Sequence, residues 1–321
     1  MTTATIPVWV NDGTSGLGAR VLRLLASGDR ATAVEPADCE VLVWLSAYDA
    51  DARASRRESA LQGLTAALAD CPQAHHVVLV SSAMVYGAWV NNPVPLTEDA
   101  ALRPDVEFAY ARQLGAVEQL VDGWRLDRPD RTVTVLRPVI TMAADGTSGL
   151  ASALAAGMGQ RLSESDPPAQ FLHLDDLASA VVLGVEQRLD GVYNVAPDGW
   201  VQSERVRALA GGVPRLKLPD RVSEAITGLR WRFQRGPIPP GLRSYTRSPW
   251  LVANDRLKAV GWRPTVTNEQ AYVEGTEAKW WTMVSPKRRQ ELSLGGLAVV
   301  VLGITLAVLR GVRRAHRRRS L

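Results

Sequence analysis

Three hydroxyl side chains occupy positions where an α/β protein presents groups to a ligand. Val77–Val80 is a short apolar run rich in β-branched residues, and this pattern predicts a buried parallel strand. Ser81 and Ser82 follow the run directly, at the carboxyl end of the strand, where open α/β sheets bind their ligands. Tyr110 opens an apolar, alanine-rich helical pattern after the next loop. Hydroxyl groups both donate and accept hydrogen bonds, so these residues are candidates for contact with a small-molecule substrate.

The order of these residues resembles that of a known family. The stretch V-S-S-A-M-V-Y-G ends at Gly87, and the stretch Y-A-R-Q-L-G-A-V-E runs from Tyr110 to Glu118. Together they are similar to the extended short-chain dehydrogenase/reductases, the NAD-dependent epimerase/dehydratase group. The resemblance implies a doubly wound parallel α/β sheet of Rossmann type, a small substrate lobe, and NAD or NADP as cofactor. It also implies that Tyr110 exchanges a proton with a substrate hydroxyl or carbonyl while a hydride moves to or from nicotinamide, and that Ser82 hydrogen-bonds the same substrate oxygen.

One position departs from the family pattern, because Leu114 stands where the family carries lysine four residues after the tyrosine. A free tyrosine has a pKa of roughly 10, so only about one in a thousand is phenolate at neutral pH. In the family the lysine lowers that pKa and holds the nicotinamide ribose, whereas Leu114 supplies no charge and adds desolvation. Arg112 lies about 200° around the helix from Tyr110 and is expected to point away from it.

A glycine-containing turn is expected near the amino terminus. Thr5–Val10 reads as the first strand, and N-D-G-T-S-G-L-G-A-R-V-L follows it into a helix. Glycines allow the backbone to turn tightly and to approach a pyrophosphate at the helix N-terminus. Two alignments with the family stay open, and each lacks one glycine. They are G-x-x-G-x-x-A, which uses Gly13, Gly16 and Ala19, and D-x-x-x-G-x-G, which uses Asp12, Gly16 and Gly18 and brings a carboxylate near phosphate.

The next stretch is shorter than in the family. A second strand is expected over Ala31–Glu35, and Glu35 at its end is a candidate for the adenosine ribose hydroxyls or, alternatively, a solvated acid. The strand-like run E-V-L-V-W-L-S-A, from Glu40 to Ala47, follows almost at once and resembles the family strand beside the cofactor. The family inserts a helix and an edge strand here, so the sheet is expected to lack that edge and the adenine side of the site to be open.

Further family motifs follow in the expected order. They are R-T-V-T-V-L-R-P (131–138), Q-F-L-H-L-D-D-L-A-S-A (170–180), G-V-Y-N-V-A (191–196) and N-D-R-L-K-A-V-G-W-R-P (254–264). The resemblance therefore covers roughly residues 5–278 and implies a substrate lobe built from about 141–170 and 197–278. The Gly-, Ala- and Ser-rich segment 141–170 is expected to loop out. The resemblance assigns cofactor contacts to Gly13, Gly16, Leu17, Gly18, Glu35, Leu45, Ser46, Ser81 and Pro138.

Other chemistry-bearing side chains carry weaker signals. His173, Asp175 and Asp176 occupy positions that do not share one face, and the family uses this motif to anchor its substrate lobe, so no metal site is expected. Cys39 and Cys71 match no metal-ligand spacing and are expected to be free thiols in a reducing compartment. Five arginines in a proline-rich region are candidates for contact with a substrate diphosphate or for a solvated surface: Arg230, Arg232, Arg235, Arg243 and Arg247.

Charge separates the body from the carboxyl-terminal tail. The 321-residue chain has a net charge of +4, but residues 287–321 carry +8 and the rest of the chain carries −4. The basic character therefore belongs to the tail, and the body gives no electrostatic reason to expect nucleic-acid binding. We accordingly divide the chain into a nucleotide-binding domain, 1–286, and a membrane segment with a basic tail, 287–321.

A hydrophobic run near the carboxyl terminus predicts membrane attachment. Leu292–Leu309 is 18 residues long without a charge, which as a helix reaches about 27 Å and just spans a thin bilayer. The run is apolar all round, and Trp280 and Trp281 precede it at interface distance. Nucleotide cofactors and the lack of a signal-peptide pattern at the start of the sequence favour a cytoplasmic body. A single span would then export six arginines against the positive-inside tendency, and a re-entrant insertion is the alternative.

Two functions are consistent with the sequence. The first is an NAD(P)-dependent epimerase, dehydratase or reductase acting on a nucleotide-linked or lipid-linked sugar or a related hydroxyl compound, with Ser82 and Tyr110 as catalytic residues. The second is a catalytically retired member that binds a nucleotide or a partner at the membrane, which Leu114 and the altered glycine turn favour. The resemblance also implies a homodimer formed through the helices expected at about 56–69 and 107–124.

Overall fold

Six parallel strands form the central sheet of the protein. The computed structural model describes residues 5–45, 57–158, 167–210 and 241–276. The strands of the central sheet are β1 Ile6–Val10, β2 Ala31–Ala33, β3 Val41–Leu45, β4 His76–Val80, β5 Thr132–Pro138 and β8 Gly191–Val195. Their order across the sheet is β2-β1-β3-β4-β5-β8, with every neighbouring pair parallel. The predicted doubly wound parallel α/β sheet is confirmed, and Val77–Val80 lies in a central strand.

Helices cover both faces of this sheet, which explains why β3 and β4 are continuous apolar runs. The longest helices are α1 Gly16–Ser27, α2 Arg57–Asp70, α3 Ala109–Leu126 and α5 Leu174–Gln187. Helix α1 packs on α5, and α2 packs on α3. Side chains of β3 alternate between the two layers: Val41 and Val43 join the core beneath α1 and α5, whereas Leu42 joins the core beneath α2 and α3.

Shorter elements lie outside the central sheet. A two-stranded parallel sheet pairs β6 Ile140–Met142 with β7 Phe171–His173. The accompanying helices are α4 Gly149–Gly157, α6 Ser203–Leu209, α7 Ser244–Arg247, α8 Asp255–Ala259 and α9 Asn268–Gly275. The expectation that 141–170 loops out was therefore wrong over α4. Ser148 caps α4 by accepting a hydrogen bond from the Ala151 N–H. The small residues of α4 allow this helix to pack closely on α7.

The connection between β2 and β3 is as short as the sequence predicted. Only a single 3₁₀ turn, Pro36–Asp38, lies between the two strands, so β2 ends the described sheet on that side. Strand β2 ends at Ala33, two residues earlier than expected, although the Val34 N–H still donates to the Val8 carbonyl at 3.0 Å before Pro36 opens the turn. No strand lies within the connection between β2 and β3, which is fully described.

Within the described ranges no helix is long and apolar enough to cross a bilayer. The predicted segment Leu292–Leu309 lies outside those ranges, as do Ser46, Arg230, Arg232 and Arg235.

Candidate functional site at the switch point of the sheet

A cavity lies where the strand order of the sheet reverses direction. The chain first passes from β1 to β2 on one side of β1. It then crosses to β3 and β4 on the other side of β1, so the carboxyl ends of β1 and β3 flank the switch point. The cavity has a volume of 130 Å³ and is lined by Asn11, Asp12, Trp44, Leu45, Ala60, Tyr110, Gln113, Leu114 and Val117. Open α/β proteins bind ligands at this place in the fold, because the crossovers leave in opposite directions and open a crevice there.

Asn11 holds the two strand ends together at the cavity floor. Its side-chain oxygen accepts a hydrogen bond of 2.6 Å from the Leu45 N–H, while its own backbone N–H donates to the Val43 carbonyl at 3.1 Å. The predicted residue Leu45 is thus brought to the cavity, together with Asn11, which the sequence analysis did not single out. The signal for Asn11 was its position directly after the last residue of β1.

The turn from β1 to α1 requires glycine at one of the positions in which the two alignments differ. A Cβ on Gly18 would lie 1.8 Å from the Asp12 carbonyl oxygen, so this position requires glycine. Ser15 caps α1, with its hydroxyl accepting from the Gly18 N–H at 3.0 Å and donating to the Asp12 carbonyl at 2.9 Å. The geometry favours the D-x-x-x-G-x-G alignment, in which Gly18 packs under the end of β1, and disfavours the alignment that ends at Ala19, which is exposed.

Other residues of this turn are partly open to solvent. Gly13 and Gly16 are half-buried, Asp12 is exposed, and Leu17 is buried in the core. Gly16 faces the backbone of Gly146, whose Cα would lie 3.4 Å from a Cβ at position 16. The loop after β6 therefore approaches the first turn of α1.

Tyr110 and Leu114 lie one helical turn apart on α3, and both line the cavity. Each side chain is 3% exposed. The Tyr110 ring is 5.9 Å from the Phe108 ring, which in turn packs at 5.3 Å on Tyr245 from α7. Arg112 is exposed on α3, as predicted. Leu114, a buried aliphatic side chain, thus occupies the position beside Tyr110 where the resemblance implies a lysine.

Ser82 and Pro138 meet at the carboxyl ends of β4 and β5. The Ser82 hydroxyl donates to the Pro138 carbonyl at 3.4 Å and accepts from the Met84 N–H at 3.2 Å, which caps a 3₁₀ turn over Ala83–Tyr86. Ser82 is 3% exposed. Its hydroxyl is therefore oriented by backbone groups at the edge of the sheet where Tyr110 also lies.

Ser81 belongs to a buried polar network. Its hydroxyl donates to Glu118 at 2.5 Å, and Glu118 also accepts two hydrogen bonds from Arg137. Arg137 donates a further bond of 2.8 Å to the Tyr86 hydroxyl, which donates to Asn194 at 2.8 Å. Burial raises the pKa of Tyr86, against the lowering effect of Arg137. Ser81 is thus engaged by α3, in a network that no local sequence pattern predicts because its members lie in separate parts of the chain.

The remaining predicted residues lie away from the cavity lining. Glu35 is exposed and precedes the 3₁₀ turn that follows β2. Asp176 is buried, and both its oxygens accept hydrogen bonds, from the Thr265 N–H at 2.9 Å and hydroxyl at 2.6 Å and from the Val266 N–H at 3.0 Å. Asp176 thus fixes the segment at Thr265 and Val266 to the first turn of α5. No cluster of side chains suited to a metal ion occurs among the residues that the structure describes.

Comparison with protein sequences gives distant relatives. No family model matches the chain. An uncharacterized protein of Mycobacterium tuberculosis and its counterpart in Mycobacterium bovis are each 25% identical to it over 210 residues. The match covers 65% of this chain and 56% of those proteins, so it spans little more than half of their length.

Comparison of structures gives many neighbours with this fold. UDP-N-acetylglucosamine 4-epimerase from Bacillus cereus is 13% identical with a TM-score of 0.56, and RMD from Pseudomonas aeruginosa, solved with NADPH, is 18% identical with a TM-score of 0.60. UDP-glucose 4-epimerase from Thermus thermophilus, solved with NAD, is 16% identical with a TM-score of 0.58. Each match covers 84% of this chain and 97% of the other. The chain thus has the fold of the NAD(P)-dependent sugar epimerases and dehydratases.

Proposed function

We propose that this protein binds NAD or NADP at the switch point of its sheet and carries out epimerase-, dehydratase- or reductase-type chemistry on a hydroxyl group. The observation that carries the proposal is the 130 Å³ cavity, which places Tyr110 beside the carboxyl ends of β1 and β3. A tyrosine hydroxyl in that position is suited to proton exchange with a substrate oxygen.

The residues present fit a dinucleotide on the nicotinamide side. Asn11, Leu45 and Tyr110 shape a cavity with apolar walls and polar groups at one end, which suits a flat heteroaromatic ring and its ribose. The close packing of Gly18 on Asp12 brings the amino end of α1 to the same edge of the sheet, where its N–H groups face anions. Asp12 is the unfavourable feature, because its exposed carboxylate adds negative charge near the phosphates.

NAD(P) would supply hydride transfer to or from carbon, and the protein would supply positioning and proton exchange. Tyr110 would donate or accept the proton, and Ser82, held by the Pro138 carbonyl and the Met84 N–H, would hydrogen-bond the substrate oxygen. Leu114 gives no positive charge to the Tyr110 phenol, so we expect slow proton transfer at neutral pH.

The substrate class proposed is a sugar linked to a nucleotide or to a lipid. Its support is the fold shared with epimerases named for UDP-sugars, together with helix α7, which contacts α4 and whose Tyr245 packs on Phe108 next to Tyr110. The exposed arginines at the two ends of α7, Arg243 and Arg247, are suited to a diphosphate.

A cavity-filling substitution tests cofactor binding. Ala60 lines the cavity from α2, so Ala60→Phe should weaken the binding of NADH or NADPH to the full-length protein at least tenfold, as measured by the fluorescence of the reduced nicotinamide. Ala66→Phe places the same side chain on the exposed face of α2 and is the matched control. Failure of the unsubstituted protein to bind any of the four dinucleotides at millimolar concentration would refute the proposal.

A second candidate function is binding without turnover, which the buried Leu114 favours. A retired member would bind the dinucleotide, yet its nicotinamide absorbance would not change on addition of sugar nucleotides over hours. Interconversion of a UDP- or dTDP-sugar, followed by chromatography, would exclude this second function.

The proposal includes attachment to a membrane through Leu292–Leu309, with the folded domain in the cytoplasm. Its support is the 18-residue uncharged sequence and the tryptophans that precede it. We expect the full-length protein to sediment with membranes and to require detergent for release. The double variant Val300→Arg with Ile304→Arg places two charges in the run and should release the protein from the membrane fraction. Recovery of the unsubstituted protein in the soluble fraction without detergent would contradict attachment.

A further inference from the structure

The chain has two cysteines, and the fold brings them together. Cys39 and Cys71 are separated by 31 residues in the sequence, yet each thiol lies close enough to shift the pKa of the other. Both belong to the core beneath α2 and α3, and they are 0% and 2% exposed. Since no other thiol exists in the sequence, each cysteine has one possible intramolecular partner.

Backbone and side-chain hydrogen bonds fix the two segments that carry these cysteines. The His75 N–H donates to the Glu40 carbonyl at 3.1 Å, and the Gln73 side chain donates to the Ala37 carbonyl at 3.1 Å. Cys39 itself ends the 3₁₀ turn of the β2–β3 connection, and Cys71 follows the last residue of α2. These hydrogen bonds hold the segment that carries Cys39 against the segment that carries Cys71.

We propose that Cys39 and Cys71 form a site of reversible oxidation, at which a disulfide joins the β2–β3 connection to the end of α2. The inference does not depend on the proposed function, and it assigns the oxidant to the class of small or protein disulfides. One thiolate attacks the oxidant, displaces one thiol and becomes a mixed disulfide. The second cysteine then displaces the second thiol, so two hydrogens and two electrons pass to the oxidant.

Both cysteines are buried, so the oxidant reaches them through local opening of a loop. Each adjoins exposed residues: Asp38 precedes Cys39, and Asp70 and Pro72 flank Cys71. Either cysteine can therefore react first, and the other completes the disulfide.

Oxidation of the native full-length protein tests the proposal. We would incubate it with oxidised glutathione, block remaining thiols with N-ethylmaleimide and measure the intact mass. The expected product has lost about 2 Da and carries no maleimide, and digestion yields one peptide pair linked through Cys39 and Cys71. Folded protein that still reacts with two maleimides after unfolding, or that forms only dimers through cysteine, would overturn the proposal.

Single variants are the controls for the disulfide. Cys39→Ala and Cys71→Ala each leave one cysteine without an intramolecular partner, so neither should lose about 2 Da, and oxidation should stop at one glutathione adduct. A loss of about 2 Da in either variant would refute the proposed pairing. Because the product in the unsubstituted protein is measured separately, a variant that fails to fold does not remove the test of the disulfide itself.

Discussion

Arg137 binds both carboxylate oxygens of Glu118 in the interior of the protein. The two distances are 3.1 and 2.7 Å, and the residues are 5% and 6% exposed. The pair connects the carboxyl end of β5 to the middle of α3, the helix that carries Tyr110 and Leu114. The position of the candidate catalytic tyrosine thus depends on an ion pair that is buried in the core.

Breaking this pair should destabilise the fold strongly. Arg137→Met leaves the Glu118 carboxylate buried without its partner, and we expect a loss of about 3–5 kcal/mol in the free energy of unfolding. Urea denaturation measures this loss. The double variant Arg137→Met with Glu118→Leu removes both charges and should be more stable than Arg137→Met alone. Equal stability of the two would show that the pair is not coupled in this way.

Stability should fall as the pH decreases below about 6.5 because of His76. Burial lowers the pKa of His76 to about 4, with a smaller opposing contribution from the Gly184 backbone and further lowering by Arg188 and His75. The folded state therefore resists protonation, while the unfolded chain accepts the proton near its ordinary pKa. The contribution of His76 is fully present above that ordinary pKa and is lost progressively as the pH falls toward 4, by about 3 kcal/mol.

Denaturation midpoints between about pH 7 and about pH 4.5 measure this dependence. The matched control is His76→Asn, which retains a polar group facing Thr132 and Thr134 but does not titrate. We expect the variant to be less stable at neutral pH and to show a shallower slope. An unchanged slope would assign the pH dependence to other groups.

Replacing Leu114 with lysine should activate Tyr110. A cation one helical turn away favours the phenolate, and each unit by which the Tyr110 pKa falls multiplies the phenolate fraction by about ten. The change is measured as the difference in phenolate absorbance between Leu114→Lys and its combination with Tyr110→Phe. Leu114→Met, which keeps the volume without the charge, is the control. A Tyr110 pKa equal in the lysine and methionine variants would exclude the effect.

Two glycines in helices should respond oppositely to alanine. Gly18→Ala forces a methyl group to within 1.8 Å of the Asp12 carbonyl oxygen, so we expect loss of more than about 3 kcal/mol or failure to fold. Gly123→Ala on α3 meets no atom within 4 Å and should stabilise the protein by about 0.5–1 kcal/mol. Denaturant unfolding of both variants checks the pair, and a stable Gly18→Ala protein would contradict the described turn.

The sheet could be predicted from the sequence because its strands are short apolar runs in a fixed order. The end of β4, the start of α3 and the shortened β2–β3 connection were all located in this way. The helix α4 was missed because the glycines and serines of the wider segment are typical of loops. The helix itself, G-L-A-S-A-L-A-A-G, is mostly alanine and leucine, which favour helix, and Ser148 caps it. Contacts such as Asn11 with Leu45, or Cys39 with Cys71, depend on distances across the fold that no local pattern encodes.

The short connection after β2 has a consequence for association between molecules. Strand β2 has three residues and is followed at once by Pro36, so the described sheet ends on that side with few unpaired N–H and C=O groups. Longer edge strands act as templates that recruit strands from other chains. The short β2 therefore gives the described sheet an open side that resists edge-to-edge aggregation.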